Sequence, residues 1–158
     1  MDKVIKSVLE MSELFFPSYS LILKEPIKEK TQYAYTFSIE YAERKDNKNI
    51  TRVQVSTKIT DNEEKMELNL ETVAFFKLDN QGEKIAEKTA EQILKKNTVA
   101  IMFPFIRSQI SLLTTQPGLI PIVMPPININ ALVEDMKKQI EEDRKSTRLN
   151  SSHSRISY

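Results

Sequence analysis

Between Tyr33 and Tyr41 every second residue is large and apolar: Tyr33, Tyr35, Phe37, Ile39 and Tyr41 alternate with Ala34, Thr36, Ser38 and Glu40. A period of two puts one set on each face of a strand, one face buried and one wet. The alternation returns from Thr51 to Ile59 through Val53, Val55 and Ile59. It returns again from Met66 to Leu78, where Met66, Leu68 and Leu70 alternate with Glu67, Asn69 and Glu71. Val73 and Phe75 then place apolar groups on the face that Glu67 and Glu71 keep polar. Ahead of these, Leu14 to Leu23 predicts a strand interrupted at Pro17, which argues for an edge or a bulge. Its apolar residues fall on both faces, with Leu14, Phe16 and Ile22 on one and Phe15, Leu21 and Leu23 on the other. Short polar turns at 43–49 and 61–65 join the later strands, so the pairing is expected to be antiparallel. Residues 1–11 read as a short helical turn or as disordered chain.

Past Asn80-Gln81-Gly82 the period lengthens. Glu83 to Lys95 predicts a helix with Ile85, Thr89, Ile93 and Leu94 on one side. Val99, Phe103, Ile106, Ile110 and Leu113 recur at spacings of three and four, the mark of a second helical face. Pro104 lies inside that pattern, so this helix either starts near Met102 or kinks there. Pro117-Gly118 is a helix stop. Leu119 to Ile127 is apolar, but Pro121, Pro125 and Pro126 forbid a helix or a central strand. Such a loop needs a cover, which the rest of the domain, a second copy or a bound partner can supply. Asn128 or Asn130 caps a last helix, with Glu134 and Asp135 in its early turns and a stripe of Leu132, Val133, Met136 and Ile140. Strands first and helices second predict an α+β fold: a four-stranded antiparallel sheet with helices packed on one face.

Residues 145–158, KSTRLNSSHSRISY, contain no acid and no periodicity. They resemble translated adapter or vector read-through, so the fold is read as one domain over residues 1–144. The chain's only histidine, His153, lies in that segment. Residues 1–144 thus lack the histidine of a catalytic triad or a zinc site. The absence of cysteine excludes disulfides, thiolate metal sites and a cysteine nucleophile, and fits a reducing compartment. Two glycines leave no Gly-rich phosphate loop. A formal charge of +1 implies no nucleic-acid field. The N-terminal stretch has no signal-peptide pattern, and the longest apolar runs fall well short of the roughly 20 residues of a membrane span. These features predict a soluble cytoplasmic protein that is not an enzyme and carries no cofactor or metal. Glu40, Glu67 and Glu71 read as solvated surface. Arg107, alone in an apolar helix, is expected to hold a structural ion pair.

The double-faced apolar segments remain. Phe15, Val73 and Phe75 face away from the core pattern, and Ile101, Phe105 and Leu112 lie off the main stripe of their helix. A monomer leaves such groups exposed, which points to an oligomer interface, to a groove for apolar segments of another protein, or to both.

Phe103-Pro104-Phe105-Ile106-Arg107, the aliphatic helix after it, Gly118 opening a proline-punctuated loop, and Pro126-Ile127-Asn128 before Ala131-Leu132 come in one order. This arrangement resembles the SecB family of protein-export chaperones. The resemblance implies dimers paired into a homotetramer that holds unfolded preproteins without ATP and presents them to the export motor SecA. On this reading client segments meet Phe15, Val73, Phe75, Phe105, Leu119, Ile120, Ile122 and Met124. Ile101, Phe105 and Leu112 then serve the oligomer, and the outer acids Glu67 and Glu71 contact SecA. The family's strand-four acid falls on or near Asn69 here, and the long acidic tail of many members is missing. Two other readings therefore stay open: a SecB-like chaperone dedicated to a toxin–antitoxin system, and a small α+β ligand-binding domain. The composition of residues 145–158 cannot bury enough surface to offset ordering entropy. Truncation after Arg144 should leave the melting temperature and the oligomeric mass unchanged, as read by calorimetry and light scattering.

Overall fold

The computed structural model describes residues 9–43, 50–78, 87–135, 138 and 156–157. The turn at 44–49, the predicted helix start at 83–86, Met136, Ile140, residues 1–8 and most of 145–158 lie outside the described residues. Four long strands come first: β1 (Leu9–Leu23), β2 (Tyr33–Glu43), β3 (Ile50–Asp61) and β4 (Met66–Leu78). The helix α1 (Glu87–Leu113) follows, then the helical turns α2 at 129–135. A two-residue strand, β5 (Ile156–Ser157), lies against Phe37 and Thr36 of β2. So part of the segment left out of the domain carries strand geometry. The sheet is antiparallel in the order β1-β4-β3-β2-β5.

The alternating residues of β2, β3 and β4 form the inner face as expected. Phe37, Ile39, Val53, Val55, Ile59, Leu68, Leu70 and Phe76 are all buried in one cluster. β1 departs from simple alternation. Its register against β4 slips between Met11 and Glu13 and again between Phe15 and Ser18. The second slip holds Pro17, which has no N–H to give to a ladder. The inserted residues reset the parity of the strand. Leu14 and Phe16 pack on the core before the bulge, and Leu21 and Leu23 pack on it after. Ile22, expected on the face of Leu14 and Phe16, points outward instead.

The two expected helices are one. α1 runs through Pro104 without a break. Residue 104 would bond the carbonyl of residue 100, and both positions are exposed. The lost bond therefore lies on the wet side, where water can serve the carbonyl. The inner side carries Val99, Met102, Phe103, Ile106 and Ile110, all buried. Phe103 meets Phe37 edge to face, with ring centroids 5.3 Å apart. Arg107 does not hold the expected ion pair. It stands on the exposed side of α1, among the described residues without a salt bridge, and hydration replaces the partner that burial would demand.

Gly118 ends the helical region with φ 88°, a backbone state that a side chain disfavours. A β-carbon there would come within 3.3 Å of Leu23 and 3.8 Å of Pro26. Its carbonyl accepts the Ile27 N–H at 2.7 Å, which ties the loop to the segment after β1. The Asn128 side chain accepts the Ala131 N–H at 3.1 Å, so Asn128 rather than Asn130 caps α2.

Tyr41 ties α1 to the sheet by donating its hydroxyl to the Lys95 carbonyl at 2.8 Å. Burial pushes its phenol above the usual tyrosine range. The folded state therefore favours the protonated phenol. That contribution is complete below the unfolded value near pH 10 and is lost as pH rises toward the folded one. Tyr41→Phe should cost about 1 kcal/mol near neutral pH through the lost hydrogen bond. It should also make the fall in stability above about pH 10 shallower. Tyr33 and Tyr35 shift in the same direction and keep the remainder. Urea titrations across the alkaline range measure both effects.

Candidate functional site: apolar surface on both faces

The outer face of the sheet, away from α1, divides into two halves along the strands. One half is polar. Ser18, Glu71, Ser56 and Ser38 line up across the four strands, as do Ser20, Asn69, Lys58 and Thr36. Thr36, Ser38, Glu40, Lys58, Asn69 and Glu71 line a shallow depression of about 260 Å³ here. Glu67 and Glu71 stand on this wet face as expected, and both are engaged. The Ser56 hydroxyl and the Gln54 amide donate to Glu71 Oε2 at 2.6 and 2.9 Å. Lys58 Nζ lies 3.1 Å from Glu67 Oε1.

The other half is mixed: Arg52, Gln54 and Glu40 stand on β3 and β2, and an apolar patch is confined to β1 and β4. Phe15 lies opposite Val73, and Phe75 is the next outward residue on β4. The rings of Phe15 and Phe75 stack with centroids 6.5 Å apart and planes at 24°. Phe15 is 40% exposed, and Phe75 is half-buried. Val73 is fully buried yet stands outside the core cluster. A residue buried on the side away from the helix is covered by its outer-face neighbours, so Val73 forms the floor of the patch. It is not a contact residue in this chain.

A second apolar surface lies on α1. Ile101, Phe105 and Leu112 are spaced by four and seven, which places them on one stripe. Ile101 is partly buried against the core, whereas Phe105 and Leu112 are exposed. The loop after α1 corrects the expectation for its residues. Leu119, Ile122 and Met124 turn inward and belong to the core. Ile120 faces out, and so does Val123, which the residue pattern did not single out. Pro121, Pro125 and Pro126 are all exposed and mark the outward side. Tyr19 and Ile22 on β1 were also missed, because the bulge that exposes Ile22 left no sign beyond Pro17.

The family model for SecB, described as preprotein translocase subunit SecB, matches residues 16–140, which span every described element but β5 and the start of β1. The chain belongs to the SecB family. An uncharacterized protein of Methanocaldococcus jannaschii is 27% identical, covering 90% of this chain and 94% of that protein. Among solved structures, the SecB-like chaperone Rv1957 of Mycobacterium tuberculosis, in complex with a ChAD peptide from the Rv1956 HigA1 antitoxin, superposes with a TM-score of 0.65. It is 15% identical, covering 76% of this chain and 90% of that one. The α+β architecture is thus that of a SecB-like chaperone. No described helix is long and apolar enough to cross a membrane.

A stacked aromatic pair should show direct coupling. A double-mutant cycle of Phe15→Ala and Phe75→Ala in urea should return about 1 kcal/mol of interaction. Additive losses would mean that the two rings contribute independently.

Proposed function

We propose that this SecB-family protein is an ATP-independent chaperone that binds non-native polypeptides through apolar side chains on both faces. The observation that carries this reading is the exposure of large apolar groups at positions that break the polar rule of their own elements. Phe15 does so on the sheet, with the half-buried Phe75 stacked against it, and Phe105 and Leu112 do so on the helix. The cost of leaving such groups in water is offset when they are covered. Ile101 and Phe105 suit the contact between copies in a homotetramer, while Leu112, nearer the end of α1, is left free. The aromatic patch then remains for unfolded preproteins in the cytoplasm. Several weak sites on one oligomer give avidity without sequence specificity. Preferential binding of the unfolded state opposes folding and aggregation by mass action.

Two partner systems fit this chemistry. In one, Glu67 and Glu71 offer an acidic contact to SecA and the clients are exported. In the other, the chaperone serves a toxin–antitoxin pair. Two facts favour the second. Glu67 is already paired with Lys58, so a basic partner competes with that lysine for it. The solved relative of the same fold carries an antitoxin peptide.

Phe75→Asp tests the client surface. The variant should keep the tetrameric scattering mass and a cooperative melt lowered by only a few degrees through the lost stack on Phe15, while its affinity for an unfolded protein falls tenfold or more, roughly the loss of one well-covered aromatic contact. Loss of the fold or the oligomer would instead place Phe75 in the structural core. A correctly assembled variant with unchanged affinity removes it from the site.

A further inference from the structure

Both backbone groups of Ile122 are held by side chains at the end of α1, Ser111 in its last turn and Thr114 just past it. The Ile122 N–H donates to the Thr114 hydroxyl oxygen at 2.8 Å. The Ser111 hydroxyl donates to the Ile122 carbonyl, also at 2.8 Å. The Thr114 hydroxyl in turn donates a hydrogen bond to the Ile110 carbonyl at 2.8 Å, so it both gives and accepts. Thr114 and Ile122 are buried, where an unmade hydrogen bond is expensive. Here the helix gives the loop the pairing that a strand would otherwise provide.

The position of this latch is informative. Val123 is 76% exposed and Leu112 67%, more than any other exposed large hydrophobic among the described residues. Val123 follows Ile122, and Leu112 follows Ser111. The two most exposed apolar side chains are each one residue from a hydrogen bond that joins their elements. We propose that Ser111 and Thr114 are positioning residues for polypeptide binding, holding Val123 beside Leu112 as one apolar rim for an apolar stretch of a non-native polypeptide. The inference rests on the chaperone reading above.

The chemistry of the rim selects that occupant. No charged residue occurs between Ser108 and Val133, so this stretch supplies no charge of its own to a ligand. Pro121 and Pro125 lie two residues on either side of Val123 and have no N–H. A continuous strand ladder cannot form there, so the rim reads side chains and not backbone. Contact of that kind tolerates many sequences, as a holding chaperone requires.

The test combines amide exchange at Ile122, followed by NMR, with affinity for reduced, carboxymethylated α-lactalbumin. Thr114→Val keeps the shape of the side chain and removes the hydroxyl. It should speed exchange at Ile122 by roughly tenfold or more, the factor expected when one buried hydrogen bond is lost. It should also weaken binding of the unfolded probe severalfold. Thr114→Ser restores the hydroxyl and should recover both. Ser111→Ala, which removes one bond without orphaning a buried N–H, should weaken binding in the same direction and remains informative if Thr114→Val does not fold. Unchanged exchange in Thr114→Val overturns the latch. Faster exchange with wild-type affinity overturns its role in positioning the rim. Failure of the wild-type chain to bind the probe overturns the chaperone reading, while exchange at Ile122 still reports on the latch alone.

Discussion

The fold depends on one long helix lying on one face of a twisted sheet. The stripe Val99, Met102, Phe103, Ile106 and Ile110 fills the inner face, and Phe103 sets its edge against the ring of Phe37. A single helix with short turns after it covers only one side of four long strands. Among the described residues, nothing covers the outer face of the sheet or the back of the helix. On most of the outer face this costs little, because serine, threonine, asparagine and glutamate stand there. The exceptions are the aromatic patch at Phe15 and Phe75 and the helix stripe at Phe105 and Leu112. Binding surface thus follows from an architecture with too few layers to hide every apolar residue that it carries.

Much of this was legible in the sequence, and the reasons differ by element. β2 and β4 could be read almost to the residue, because period-two alternation is unambiguous when one face is wet and one is packed. The outward placement of Phe75 followed from the same rule, as a break within a regular pattern. Phe105 and Leu112 could be read as residues off the main helical stripe. The parity of β1 could not be read. A bulge changes which residues share a face without changing composition, and Pro17 shows only that something happens there. The union of the two helices was also hidden. Proline argues against a helix interior in general, and its exposure at 104 is a tertiary fact that no local rule supplies.

The loop was the least legible part. Three prolines remove both the helical and the strand period, so nothing in the order of residues says which way Leu119, Ile120, Ile122, Val123 and Met124 point. Their directions come from the hydroxyls of Ser111 and Thr114 and from Gly118, whose carbonyl meets a segment some ninety residues earlier in the chain. These are long-range constraints. Expecting the whole run to face a client treated as one surface what the fold divides into an inner and an outer side.

The two slips in β1 bear on what can go wrong as well as on what is built. β1 is the edge of the sheet, and a long, regular edge strand is a template on which any extended chain can grow. A protein that gathers sticky chains meets that hazard more often than most. The slips divide this edge, and the longest regular stretch after them is the six residues Ser18 to Leu23. A newcomer can match that much and then loses register at Pro17. The irregularity limits how far a guest strand can zip along this edge.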